Sequence, residues 1–205
     1  MVKKNDVYLK AMGGTELLRN ALLEKLPAKM SDKFNFILSR VRDEFFDDRP
    51  ALLWLHDTAE DPESEHLADV ESRRRFEKLV FVSNWQQYSY IKHLNIPYED
   101  GIVIKNAIEP IPVHSKPKGE KTKLIYFSTP HRGLVVLQMA LELLSKQRDD
   151  FEVDVYSSFN LYGWEGQDEQ KEWKVLFDKL REMECVNYYG TVSNDKIREA
   201  LTTSH

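Results

Sequence analysis

The chain has 205 residues, 41% of them hydrophobic and 31% charged, a balance that can bury a core and is not that of a disordered chain. Its formal net charge of -5 and pI of about 5.7 argue against nucleic-acid binding as the main activity, which needs a basic footprint. A lone cysteine, Cys185, excludes an intramolecular disulfide and fits a reducing compartment. The N-terminus MVKKNDVYLK lacks the apolar region of a signal peptide. The longest apolar stretch, 133–144, is interrupted by Gln138 and Glu142 and is too short for a membrane span. These features predict a cytoplasmic protein.

In chain order, short β-branched and apolar runs alternate with helix-period segments, the pattern of βαβ units around a parallel sheet. Strands are predicted at 7–9, 34–39, 52–56, 79–83 and 102–105, with helices at 14–26, 63–76 and 85–94 between them. Arg73, Arg74 and Arg75 lie among Glu71, Glu77 and Lys78, which predicts a solvated helix face. The stretch 107–122 breaks the alternation with Pro110, Pro112, Pro117 and Gly119 among lysines, and reads as an interdomain linker. The alternation then restarts, with strands at 124–127, 153–156 and 186–189 and helices at 134–146, 169–181 and 194–201. The expected organisation is an N-terminal Rossmann-like domain over 1–108, a linker over 109–122 and a second Rossmann-like domain over 123–205. That second domain is expected to be incomplete, because a doubly wound domain usually carries five or six strands.

Four segments have residues suited to chemistry. Gly13-Gly14-Thr15 sits between a short strand and a helix, where glycines admit close approach and a helix N-terminus favours an anion. Taken alone, it fits a plain turn with Thr15 as N-cap better, since neither G-x-G-x-x-G nor G-K-[ST] is present. Leu52 to Asp57 is a strand ending in His56-Asp57, at the strand end where open α/β sheets bind ligands. His56 could donate to a sugar hydroxyl or a phosphate oxygen, and Asp57 could orient it or accept from a hydroxyl; an Asx-turn at Asp57 is the structural alternative. No second motif has metal-ligand spacing, and an HD-type phosphohydrolase would put this pair in an all-helical fold. Ser83 in Val82-Ser83-Asn84-Trp85 and Asn106 in Ile104-Lys105-Asn106-Ala107 follow strands, and both residue types suit helix caps. Ser128-Thr129-Pro130-His131-Arg132-Gly133 leads a strand into a helix. A cation there opposes the helix dipole unless it meets a phosphate or a nearby carboxylate.

The order of these segments, with Tyr189-Gly190-Thr191-Val192-Ser193-Asn194 after them, resembles the retaining "group 1" (family four type) GT-B glycosyltransferases, including compact versions in phage and marine microbial sequences. The resemblance covers about 13–205 and is strongest over 52–106 and 124–133. It implies a nucleotide-sugar donor held in a cleft between two Rossmann-like domains. Gly13, Gly14 and Thr15 are implied to lie against the donor phosphates, and His56 to face the transferred sugar. Asp57, Ser83 and Asn106 are implied to contact sugar or acceptor. Arg132, beside Ser128 and Gly133, matches the basic residue that stabilises the leaving diphosphate, where fixed donors supply most of the catalysis. The acceptor is a glycan, lipid or protein. No cofactor is implied, and no D-x-D metal motif is present. Two departures stand out. Phe127 and Ser128 occupy the place of a second basic residue. The E-x-x-x-x-x-x-x-E motif, expected beyond a position like His205, is absent, which predicts a truncated reading frame with an uncovered strand edge open to self-association. The alternative is a non-catalytic fragment or sugar-nucleotide-binding module. A Rossmann oxidoreductase lacks its dinucleotide fingerprint.

Overall fold

The computed structural model describes residues 14–42, 46–112, 121–162, 164 and 166–204. The chain divides into two compact units, 1–108 and 109–205, each with its own parallel sheet. The architecture is α/β, with Rossmann-like units. Predicted strand 7–9 and most of the predicted linker lie outside the described residues.

In the first unit, four strands are hydrogen-bonded side by side in sequence order: β1 (Asn35–Leu38), β2 (Ala51–Leu55), β3 (Lys78–Phe81) and β4 (Gly101–Val103). All pair in parallel, with Leu38 opposite Trp54 and Leu55 opposite Phe81. Alternation sends Ile37, Leu53, Leu55, Leu79 and Phe81 into a core with Leu67, Phe76, Tyr90 and Ile96. Trp54 and His56 share the opposite parity of β2. Gly101 is dictated by close approach: a Cβ there would meet Phe81 Cε2 at 2.5 Å. Helix α1 (Gly14–Lys25) begins at Gly14, so Thr15 lies inside its first turn and not at an N-cap. A short helix, α2 (Ala28–Ser31), follows it.

The predicted helix 63–76 is broken. A 3-10 segment, Pro62–Ala68, is followed by extended Asp69 and then by the four-residue α3 (Val70–Arg73). Two aspartates cause the break, Asp61 accepting from Glu63 N–H and Asp69 from Glu71 N–H, which restarts the chain twice. Arg73 then holds the break by donating to the carbonyls of Leu67 and Ala68 at 2.8 and 2.9 Å. It is 9% exposed and paired with Asp100, so this member of the arginine run is a structural anchor and not part of a solvated face. Helix α4 (Asn84–Leu94) follows β3 and is capped by Ser83.

The second unit has strands β5 (Thr122–Tyr126), β6 (Phe151–Val155) and β7 (Val186–Tyr188) in that spatial order, all parallel. Strand β5 starts two residues before the predicted position, drawing Thr122 out of the predicted linker. Helices α5 (Leu134–Leu144) and α6 (Lys171–Glu182) pack Leu134, Leu141, Leu176, Phe177 and Leu180 against Val153, Val155 and Val186. Helix α6 begins later than expected because 167–169 form a 3-10 turn and Gln170 is extended. Helix α7 (Asn194–Thr203) is capped by Ser193.

Candidate functional site

The parallel register brings the C-terminal ends of the strands of each unit to one edge of its sheet. In the first unit that edge gathers Ser39, His56, Asp57, Ser83 and Asn106. His56 is half-buried, and its Nδ1 lies 3.2 Å from Ser39 Oγ. Its Nε2 is buried with no hydrogen-bond partner among the described residues. Burial is the main reason that the imidazole sits below its usual pKa, and contact with Asn106 and the charges of Asp57 and Glu16 oppose that shift. Glu16, in the first turn of α1, is one of the charges acting on the ring. Asn106 approaches the ring without reaching hydrogen-bond geometry at Nε2. The Trp54 and His56 rings stack at 6.1 Å and 17°. Trp54 Nε1 is likewise buried without a partner among the described residues.

Asp57 is held above the usual carboxylate pKa, first by burial and then by Asp61, with Arg40 and His56 opposing. Its turn is fixed from behind by α4, through residues that sequence patterning did not single out. Gln86 Nε2 donates to the carbonyls of Leu55 and Asp57 at 3.2 and 2.8 Å, while Gln86 Oε1 accepts from Val82 N–H at 2.8 Å. Tyr90 Oη donates to the carbonyls of Asp57 and Thr58 and lies 2.7 Å from Ser64 Oγ. The Ser83 hydroxyl accepts from Gln86 N–H at 3.1 Å, so it serves as the cap of α4. Gly13 lies outside the described residues.

In the second unit the β5–α5 turn carries Ser128, Thr129, Arg132 and Gly133. Gly133 precedes α5 at φ 101°, a conformation that favours glycine. Arg132 is exposed, and it makes no ion pair with another described residue. Thr129 is 2% exposed, and its Oγ1 has no partner among the described residues. Ser157 Oγ donates to the Ser128 carbonyl at 2.6 Å and Tyr188 Oη to the Ser157 carbonyl at 2.6 Å, tying the three strand ends together. Asp168 accepts from Phe159 N–H at 2.8 Å and from Ser158 Oγ, turning the loop after β6 back on itself. Beside it lies a cleft of about 380 Å³ lined by Ser158, Asn160, Asp168, Lys174, Arg181 and Gly190 among others, within the size range of small-molecule sites. Asp168 carried no signal in the sequence, because its partners are set by the loop's path.

No protein-family profile and no curated protein matches this sequence. Solved structures do. A glycosyltransferase from Rickettsia africae ESF-5 aligns over 98% of this chain and 56% of its own, at 18% identity and a TM-score of 0.57. TarM aligns over 77% of this chain and 31% of its own, at 14% identity and a TM-score of 0.51. The lipopolysaccharide outer core galactosyltransferase WaaB, in its apo form, aligns over 93% and 52%, at 11% identity and a TM-score of 0.50. The fold is of the GT-B glycosyltransferase type. The chain spans little more than half the length of these proteins at most. Among the described residues, no helix is long and apolar enough to cross a membrane.

Proposed function

We propose that the chain is part of a glycosyltransferase of the retaining group 1 type, which moves a sugar from a nucleoside-diphosphate sugar to a glycan, lipid or protein acceptor. The observation that carries this reading is Arg132. A cation at a helix start opposes the dipole. Here it is exposed and unpaired among the described residues, beside a buried hydroxyl, that of Thr129, without a partner. A leaving diphosphate supplies the missing charge, and Ser128 and Gly133 complete the turn that receives it. His56 and Asn106 face the transferred sugar or acceptor, with Asp57 beside them. Gly14 and Thr15 offer the first N–H groups of α1 to the donor. The absence of a D-x-D motif supports transfer without a metal, Arg132 taking the charge-stabilising role.

Calorimetry with free UDP, GDP and ADP tests the reading. A charge-assisted contact to phosphate contributes roughly 1.5–3 kcal/mol. Arg132→Ala should therefore weaken binding of the preferred diphosphate about ten- to a hundredfold. Arg132→Lys should retain more. His56→Ala should lower donor hydrolysis or transfer while leaving diphosphate affinity intact. Undiminished binding by Arg132→Ala would make Arg132 a surface cation and remove the donor assignment.

A further inference from the structure

His131 stands one residue before Arg132, in the turn that joins β5 to α5. The ends of that turn are anchored. Pro130 and Leu134 are buried, Arg132 N–H donates to the Thr129 carbonyl at 3.0 Å, and Leu134 N–H donates to the Pro130 carbonyl at 3.1 Å. Gly133 adds no packing, since a Cβ there would meet nothing within 4 Å. The His131 ring does pack. It stacks on Phe159 of the loop after β6, with centroids 5.9 Å apart at 13°, and meets Trp164 at 6.1 Å and 31°. Phe159 and Trp164 are in turn 5.9 Å apart at 28°. Phe159 is a fixed platform: it is 3% exposed, meets the Trp173 ring of α6 edge-on at 4.9 Å, and donates its N–H to Asp168 at 2.8 Å.

We propose that His131 is a positioning residue: by stacking on Phe159 it holds the turn in the shape that presents Arg132. Near-parallel rings with centroids about 4.5–7 Å apart attract one another, and all three pairs among His131, Phe159 and Trp164 meet that condition. The imidazole makes no hydrogen bond or ion pair with another described residue, so the stack is what draws this exposed ring onto the protein. Arg132 has no ion pair of its own among the described residues to hold it, and its backbone must therefore set where the guanidinium points. A turn ordered beforehand spares a ligand the entropy of ordering it on binding. The loop after β6 serves two purposes in this arrangement. Ser158 and Asn160 line the cleft beside Asp168, while Phe159 between them packs on His131. That the anion met by Arg132 is a diphosphate rests on the proposed function; the ordering of its turn does not.

The test is amide hydrogen exchange of the full chain read by NMR, with inorganic pyrophosphate titrated into each variant. His131→Ala should speed exchange of the Arg132 amide about three- to tenfold and weaken pyrophosphate binding by a similar factor. The Val153 amide, bonded to the Cys185 carbonyl within the sheet, should exchange as in the parent. His131→Phe keeps a stacking ring and removes the imidazole nitrogens, and it should return both readings to within about twofold of the parent. A parental exchange rate for the Arg132 amide in His131→Ala would overturn the proposal. So would a His131→Phe variant as perturbed as His131→Ala, which would make the ring nitrogens the anchor. Equal acceleration at Val153 would show that His131 only stabilises the unit, and faster exchange at Arg132 with unchanged pyrophosphate affinity would show that the turn does not present the guanidinium; either overturns the proposal. A chain that shows the ordering and its rescue by phenylalanine, yet binds no pyrophosphate or binds it equally well after Arg132→Ala, supports the His131 assignment and counts against the donor reading alone.

Discussion

Thr129 buries a hydroxyl that finds no hydrogen-bond partner among the described residues, at the turn where Arg132 stands. An unsatisfied buried polar group costs about 1–3 kcal/mol, and valine has nearly the same shape. Thr129→Val should leave the free protein as stable as the parent or more stable by about 1 kcal/mol. Diphosphate affinity should fall severalfold if the hydroxyl is kept for a ligand. Urea titration and calorimetry read the two effects separately, and lost stability with unchanged affinity would show an ordinary packing threonine. Titration of buried imidazoles gives a second prediction. His56 is held below its ordinary pKa of 6.5, chiefly by burial. So is His66, by burial and then by Arg75, with Glu63 opposing. The unfolded chain then binds more protons than the folded one between the lowered values and 6.5. Stability is full above that window and is lost as pH falls through it. Asp57 has the opposite sign: burial raises it above 3.8, so its contribution is lost as pH rises through the folded value. Melting temperature should therefore drop as pH falls from about 7.5 into the window below 6.5, and His56→Gln should flatten part of that drop. An equal slope in parent and variant would mean that His56 titrates as it does in the unfolded chain.

Gln86 shows how an element, and not a single contact, shapes the first unit's strand ends. Its amide links the turn after β2 to the end of β3 and the start of α4. Gln86→Leu keeps the bulk but orphans Val82 N–H and leaves the Asp57 carbonyl with Tyr90 Oη as its side-chain donor. The expected cost is about 2–3 kcal/mol, read by urea denaturation, with the His56 ring signal displaced as its turn relaxes. A loss under about 0.5 kcal/mol would show that water replaces the amide at no cost. This link also marks where sequence reading stops. The apolar run before His56 showed β2 within a residue of its true end. The cap at Ser83 and the turn before Gly133 were legible too, because caps and glycine turns are local chemistry. Gln86 was not, since its partners Leu55 and Asp57 lie 31 and 29 residues away. Asp69 broke a helix that periodicity favoured because its side chain captured Glu71 N–H, a competition that pattern alone does not weigh. Ser39 and Asp168 were invisible for the same reason as Gln86: the path of the chain, and not the residue type, creates their role.

At the scale of the molecule, the two cores draw on different residues. Leu53, Leu79 and Phe81 belong to one cluster, and Val155, Leu134 and Leu180 to the other, with no side chain common to both. Each cluster lies against its own parallel sheet, and no strand of one sheet pairs with a strand of the other among the described residues. Nothing in the backbone ladder therefore obliges the two to melt together. Leu53 and Leu180 are both 0% exposed, and Leu→Ala at such positions costs about 2–5 kcal/mol. For a unit of roughly a hundred residues, each kcal/mol moves the midpoint by about 4–8 °C. Leu53→Ala should thus lower one calorimetric transition by on the order of ten degrees or more and leave a second in place. Leu180→Ala should do the reverse, and the double variant should show both shifts added. Adding the preferred nucleoside diphosphate should raise the transition that Leu180→Ala lowers, because Arg132 and Thr129 belong to that unit and binding stabilises the form that binds. A single transition that both variants shift equally would show that the units unfold as one, and a diphosphate that raises only the Leu53-sensitive transition would put the anion site in the wrong unit.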